Sequence, residues 1–238
     1  MSYAIERANI LRTVDIRVTL GVLFFAFKPI DMEKLDLVKK YKTYYTAKAM
    51  PALVEIEEAK FLSILGQGDP SSDLFAGKIQ ALYSVAYALK FAYKAKDKDF
   101  VVAKLEALWW FDMTRYGHLS IEEAPVHIPR KEWSWRLLIR VPDYVREEEI
   151  AKVKHAVREK KDLAYVGEVE LFAQHECKAV QVLHVGPFDK EPETLVKIRE
   201  FMETHQLKHA GLHHEIYLSD FRKTAPEKLR TILREPVR

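Results

Sequence analysis

A chain of 238 residues, 48% hydrophobic and 31% charged, fits one large domain or two similar halves and is too apolar for a disordered chain. Its net charge of +3 is spread among acids and bases rather than gathered on the basic face that nucleic-acid binding needs. The most apolar stretch, residues 18–27, is half the length of a membrane span, and no small-residue cleavage site follows it, so neither a membrane anchor nor a secretion signal is expected.

Glycine is scarce, 8 in all, and Cys177 is the single cysteine. Phosphate-cradling loops have little material, an intramolecular disulfide is excluded, and a reducing, cytoplasmic setting is expected. Residues 1–31 read as an upstream extension or a start assigned too early, with Met32 a second start. Residues 32–51 are a polar, Tyr-rich leader, and residues 52–238 are the body, with halves at about 52–115 and 130–236.

In chain order, residues 53–57 alternate as a half-buried strand, and residues 60–65 form a second strand that closes on Gly66-Gln67-Gly68-Asp69-Pro70. Ser71 and Ser72 can cap a helix over 73–93, where Phe75, Ile79, Leu82, Ala86, Leu89 and Tyr93 recur at helical spacing. Strands are expected over 101–111, 133–141, 166–172, 178–185 and 213–218, and helices over 146–160 and 192–205. Thr224-Ala225-Pro226-Glu227 reads as the start of a last helix running to Leu233.

The most useful signal is internal. Residues 60–68 and 178–186 match at a spacing of 118, each followed by a turn with Asp and Pro, a helix containing Lys-Ile (Lys78-Ile79, Lys197-Ile198) and a strand carrying one Glu. The fold class expected is α+β: two tandem strand-helix-strand-strand units related by a pseudo-twofold. Antiparallel sheets, helices on the outer faces and a central ligand cleft complete the expectation.

Metal ligation is poorly served, because His213 and His214 are adjacent on a strand and point oppositely, and Cys177 has no ligand spacing around it. No cofactor is expected: Gly66-Gln67-Gly68 lacks the third glycine of a dinucleotide loop. Cys177 and His184 read as core residues. What remains is a pair of carboxylates among aromatics. Glu215 shares a strand face with His213 and Tyr217, while Ile216 faces the helix layer. Glu106 shares one with Leu108 and Trp110, while Trp109 faces the core. Both glutamates are expected to point into the groove, where an apolar setting raises a carboxyl's pKa and fits it to act as a base on water or to hold a cationic aromatic ligand. At least one of Trp109 and Trp110, together with Tyr83 and Tyr87, is expected to line it.

Residues 214–229, with His214-Glu215-Ile216-Tyr217 and Thr224-Ala225-Pro226-Glu227, resemble the C-terminal signature of GyrI-like small-molecule-binding proteins, in the stand-alone branch without a DNA-binding domain. Leu105-Glu106-Ala107-Leu108-Trp109-Trp110 agrees, as do residues 139–145 and 182–188, so the likeness runs over about 33–236. Phe221 stands where the pattern has proline or a small residue. The resemblance implies a central cleft that binds bulky, often cationic aromatic compounds, with an acid in the pocket. Some of that branch are similar to hydrolases that open the strained ring of cyclopropanoid cyclohexadienones. The implied base is Glu215; for steadying the oxyanion Tyr83, Tyr87 and Tyr217 are candidates on geometry, not on a motif. Two rivals stay open: a non-catalytic drug binder or sensor, and a protein-interaction module that inhibits a DNA-handling enzyme, which predicts a closed or polar cleft. Nothing in the sequence specifies the oligomeric state.

Overall fold

The computed structural model describes residues 34–238 and the backbone of two strands before them, Arg12–Thr19 (β1) and Val22–Pro29 (β2). These two pair antiparallel with each other as a separate unit. Apart from them, the extension expected over residues 1–31, and Met32 as a second start, lie outside the described residues.

In the larger unit, a short helix Leu37–Lys40 (α1), capped by Asp36, belongs to the leader. Strands Ala52–Ile56 (β3) and Ala59–Gln67 (β4) follow. The helix Asp73–Lys94 (α2) starts on Ser72, whose hydroxyl accepts from the Phe75 N–H at 3.3 Å. Next come strand Leu105–Trp110 (β5), two short helices Met113–Tyr116 (α3) and Ala124–His127 (α4), and strand Ser134–Val141 (β6). Helix Glu147–Lys160 (α5) leads to strands Glu170–Gln174 (β7) and Cys177–Val185 (β8). Helix Glu191–Thr204 (α6), strand His213–Tyr217 (β9) and strand Arg230–Val237 (β10) complete the chain.

Eight strands make one antiparallel sheet in the order β3-β8-β10-β9-β5-β6-β4-β7. The order reads alike from either end. One unit is β4-α2-β5-β6, the other β8-α6-β9-β10, and they meet edge to edge where β5 pairs β9. Each unit's outermost strand comes from beside the other unit in sequence: β3 precedes β4 but pairs β8, and β7 precedes β8 but pairs β4. The two matched turns carry Gly68 and Gly186 at φ +119° and +141°, backbone that only glycine adopts without strain.

Helices α2, α5 and α6 cover one face. Beneath α2 lie Leu62, Ile64, Leu105, Ala107, Trp135, Leu137 and Ile139; beneath α6 lie Val180, Val182 and Leu233. The other face is sealed by the leader, whose Tyr44 and Tyr45 pack with Phe61, Leu108, Leu138, Ile216 and Ile232. Ile216 therefore faces the leader and not the helix layer. Its neighbours Glu215 and Tyr217 take the helix side.

Two further expectations are corrected. The helix expected from Thr224 is a single turn, Pro226–Lys228, followed by β10. Thr231-Ile232-Leu233 is bonded on both sides, to β8 and β9, so tertiary pairing overrides a local helix-start signal. The strand expected from Val101 begins only at Leu105. Before it, Lys104 is turned aside to donate from Nζ to the Leu218 carbonyl at 2.8 Å.

Candidate functional site

Directly opposed residues of antiparallel strands project from the same face. The register Ala107↔Glu215 and Trp109↔His213 therefore puts Glu215, His213 and Trp109 together on the helix side, between α2 and α6. There they border a hollow of about 1060 Å³. Its walls are Phe75, Trp109, Trp110, Trp133, Phe188 and Phe221, with Leu195 and Met202 of α6 and Met113 and Ile121 from the β5–β6 connection. Trp109 stacks near Phe75 and meets Trp133 edge-on, centroids 5.6 Å apart; Phe188, Tyr217 and Phe221 form an edge-to-face trio.

Against these rings the floor is ionic. The Tyr217 hydroxyl donates to Glu215 Oε2 at 2.6 Å, and His213 Nε2 lies 3.4 Å from Glu215 Oε1. The other His213 nitrogen is hydrogen-bonded to Glu235 of β10, which also meets His209 at 3.2 Å. Burial alone would discharge His213, but Glu235 and Glu215 on either side hold its pKa well above the ordinary imidazole value. Burial raises Glu235 too, yet the cationic His213 and the hydrogen bonds from His209 and His213 win and bring it down to about 2. Tyr217 is pushed up, first by burial and then by the Glu215 charge. Glu191, at the first position of α6, is buried in the wall, and burial followed by repulsion from Glu215 lifts it well above the carboxylate range.

The predicted site residues divide. Glu215, Tyr217, His213, Trp109 and Trp110 border the hollow. Glu106 does not, which corrects the expectation that both glutamates share the groove. One residue out of phase with Ala107, it points to the leader side and is fully buried. There it accepts from the Tyr44 hydroxyl at 2.5 Å and the Tyr45 hydroxyl at 3.2 Å, and lies 2.8 Å from His214 Nε2. Tyr83 and Tyr87 line a separate cavity of about 420 Å³, bordered also by Lys104 and Arg222, and among the described residues only Tyr217 and Phe221 reach both. His184 is a core histidine bonded to Thr194 and the Pro187 carbonyl. Burial raises the Cys177 thiol, the wrong direction for a nucleophile.

Sequence reasoning missed Glu191, Glu235 and Trp133. Glu191 resembles any acid suited to a helix start, and Glu235 lay past the end of the helix expected to run to Leu233, in a stretch assigned to no element. No cluster of metal-ligating side chains, and no helix long and apolar enough to cross a membrane, occurs among the described residues.

Residues 138–238 match the model of the GyrI-like small molecule binding domain. A solved structure of an uncharacterized conserved protein from Listeria innocua is 36% identical, with a TM-score of 0.76 over 86% of this chain and all of the other. The chain belongs to the GyrI-like family. Two further Listeria innocua structures, each described as a hydrolase, are 35% and 34% identical with TM-scores of 0.74 and 0.75, over 86% and 87% of this chain and all of theirs. No curated protein matches the chain. As a GyrI-like protein it carries a small-molecule-binding domain.

Proposed function

We propose that the hollow binds bulky aromatic molecules and hydrolyses reactive ones of the cyclopropanoid cyclohexadienone type, with Glu215 as general base and Tyr217 as its partner. The observation that carries this reading is the position of Glu215: a buried carboxylate on the floor of a large aromatic cavity, fixed by Tyr217 and His213. Stacking on Trp109, Trp110 and Trp133 holds a flat ligand over the Glu215 carboxylate. Glu215 takes a proton from water as the water oxygen attacks the ring carbon. The strained carbon–carbon bond breaks, and its electrons pass through the ring to the carbonyl oxygen as the ring becomes aromatic. Two relatives described as hydrolases support the reaction class.

An open apolar hollow is not what an interaction module with a closed or polar cleft requires, so the ligand reading is favoured over that rival. Incubating the full chain with a cyclopropanoid dienone should give the water adduct by mass spectrometry, and Glu215→Gln should still bind the compound but not convert it. Tight binding without conversion by the unaltered chain would overturn catalysis and leave a binder.

A further inference from the structure

The acids at the start of α6 are of two kinds. Asp189 and Glu193 are exposed, and Glu193 pairs with Lys190 at 3.1 Å, as expected of a solvated helix start. Glu191 between them is 8% exposed and borders the aromatic hollow, and its Oε1 finds no hydrogen-bond partner among the described residues. A buried carboxyl oxygen without a partner is costly unless a ligand satisfies it.

We propose that Glu191 is the general acid of the hollow, giving its proton to the carbonyl oxygen of a substrate whose reacting carbon is conjugated to that carbonyl. This rests on the reading of Glu215 as the base of a hydrolase. The helix dipole at the first turn of α6 favours an anion, but burial and the Glu215 carboxylate outweigh it and push the Glu191 carboxyl towards its protonated form. The titratable and charged groups that line the hollow with it are Glu215, His213 and Tyr217 on β9, Glu235 on β10, His209, Asp189, Arg130, Arg199 and Glu203, and of these the Glu215 charge raises its pKa while His213 lowers it. Arg199, two turns along α6, is committed to Glu122 and Glu203.

The step balances. The water oxygen bonds to the ring carbon and its proton passes to Glu215. The strained carbon–carbon bond breaks, its electron pair reaches the carbonyl oxygen, and Glu191 protonates that oxygen to give a phenol. Glu215 ends protonated and Glu191 ionised, and one proton passed back restores both. No oxidant or reductant is needed. The pairing selects for an electrophile with an oxygen acceptor conjugated to its reacting carbon.

The test follows a simple spirocyclopropyl cyclohexadienone with the full-length chain, reading dienone loss and water adduct against pH. Glu191→Gln keeps a hydrogen-bond donor but has no proton to give. It is expected to hold KM nearly unchanged, lower kcat about 100-fold, and lose the alkaline fall in rate that ionisation of Glu191 imposes. Infrared spectra of the unaltered chain at neutral pH should show a protonated-carboxyl band that persists in Glu215→Gln and is absent from Glu191→Gln. Undiminished kcat with an unchanged pH profile in Glu191→Gln, beside an inactive Glu215→Gln, would overturn this inference alone. So would absence of the infrared band from the unaltered chain. An active Glu215→Gln would overturn the base instead.

Discussion

The two faces of the central strand pair carry the same residue type to opposite ends. Glu215 and Glu106 stand on neighbouring strands, and each accepts a tyrosine hydroxyl and lies near a histidine. Glu106 is shut beneath the leader, with Tyr44, Tyr45 and His214 occupying its oxygens and Arg140 lying over the Tyr41 and Tyr44 rings. Glu215 borders an open hollow with an acid, Glu191, in the wall. A carboxylate whose acceptors are all used internally is a fastener, whereas one that borders empty space can serve a ligand. The comparison says that surroundings, not residue type, separate structure from chemistry here.

The largest effects should come from exchanging the two. Glu215→Gln should lower turnover of the dienone by about 10²–10⁴-fold while the chemical denaturation midpoint stays close to that of the unaltered chain. Glu106→Ala should do the reverse. It strands two buried tyrosine hydroxyls and His214, so a loss of about 3 kcal/mol in unfolding free energy is expected, with turnover per folded molecule preserved. Loss of turnover without loss of stability in Glu106→Ala would erase the distinction between the faces.

An effect of similar size sharpens the helix-side face through pH. Glu235 is held at about 2 in the fold, below its ordinary 4.5. Its contribution is therefore complete above pH 4.5 and is lost as pH falls from 4.5 towards 2, a change of about 3 kcal/mol. His213 is shifted upward, so its contribution is complete below pH 6.5 and is lost as pH rises through its raised value. The pair thus stabilises most between 4.5 and 6.5. Urea titrations extended below pH 4.5 and above pH 6.5 should show both limbs, and Glu235→Gln should flatten the acid one. An acid limb unchanged in that variant would mean that other carboxylates set it.

Much of this was legible beforehand. The 118-residue match between residues 60–68 and 178–186 falls on β4 and β8, and the turn, helix and strand after each follow in order. Strand parity alone puts Glu215 with His213 and Tyr217. Parity cannot say which of the two faces is hollow, nor how one strand registers on another. A slip of one residue in β5 against β9 would have put Glu106 beside Glu215 and Ala107 beneath the leader. That register comes from long-range packing, including the docking of Tyr44 and Tyr45 from 62 and 61 residues upstream of Glu106. The strand β10 was hidden for a similar reason: Pro226-Glu227 begins a turn that locally looks like a helix, and only partners on both sides make the following residues a strand.

The smallest predicted effect concerns the two tyrosines of α2. Tyr83 and Tyr87 stack 6.3 Å apart beside Arg222 and border the lesser cavity, not the hollow. The α2 side chain that reaches the hollow is Phe75, two turns earlier on the helix. A phenol that borders the other cavity cannot steady an oxyanion above Glu215, because hydrogen-bond stabilisation needs a donor near 3 Å from the charge. Tyr83→Phe and Tyr87→Phe should therefore leave kcat and KM within about twofold of the unaltered chain, as expected for sites with no shared partner. Tyr217→Phe, which removes the one hydroxyl bonded to Glu215, should not. A tenfold fall in kcat for either α2 variant would show that the two cavities act as one site and that the ligand reaches past Tyr217 into both.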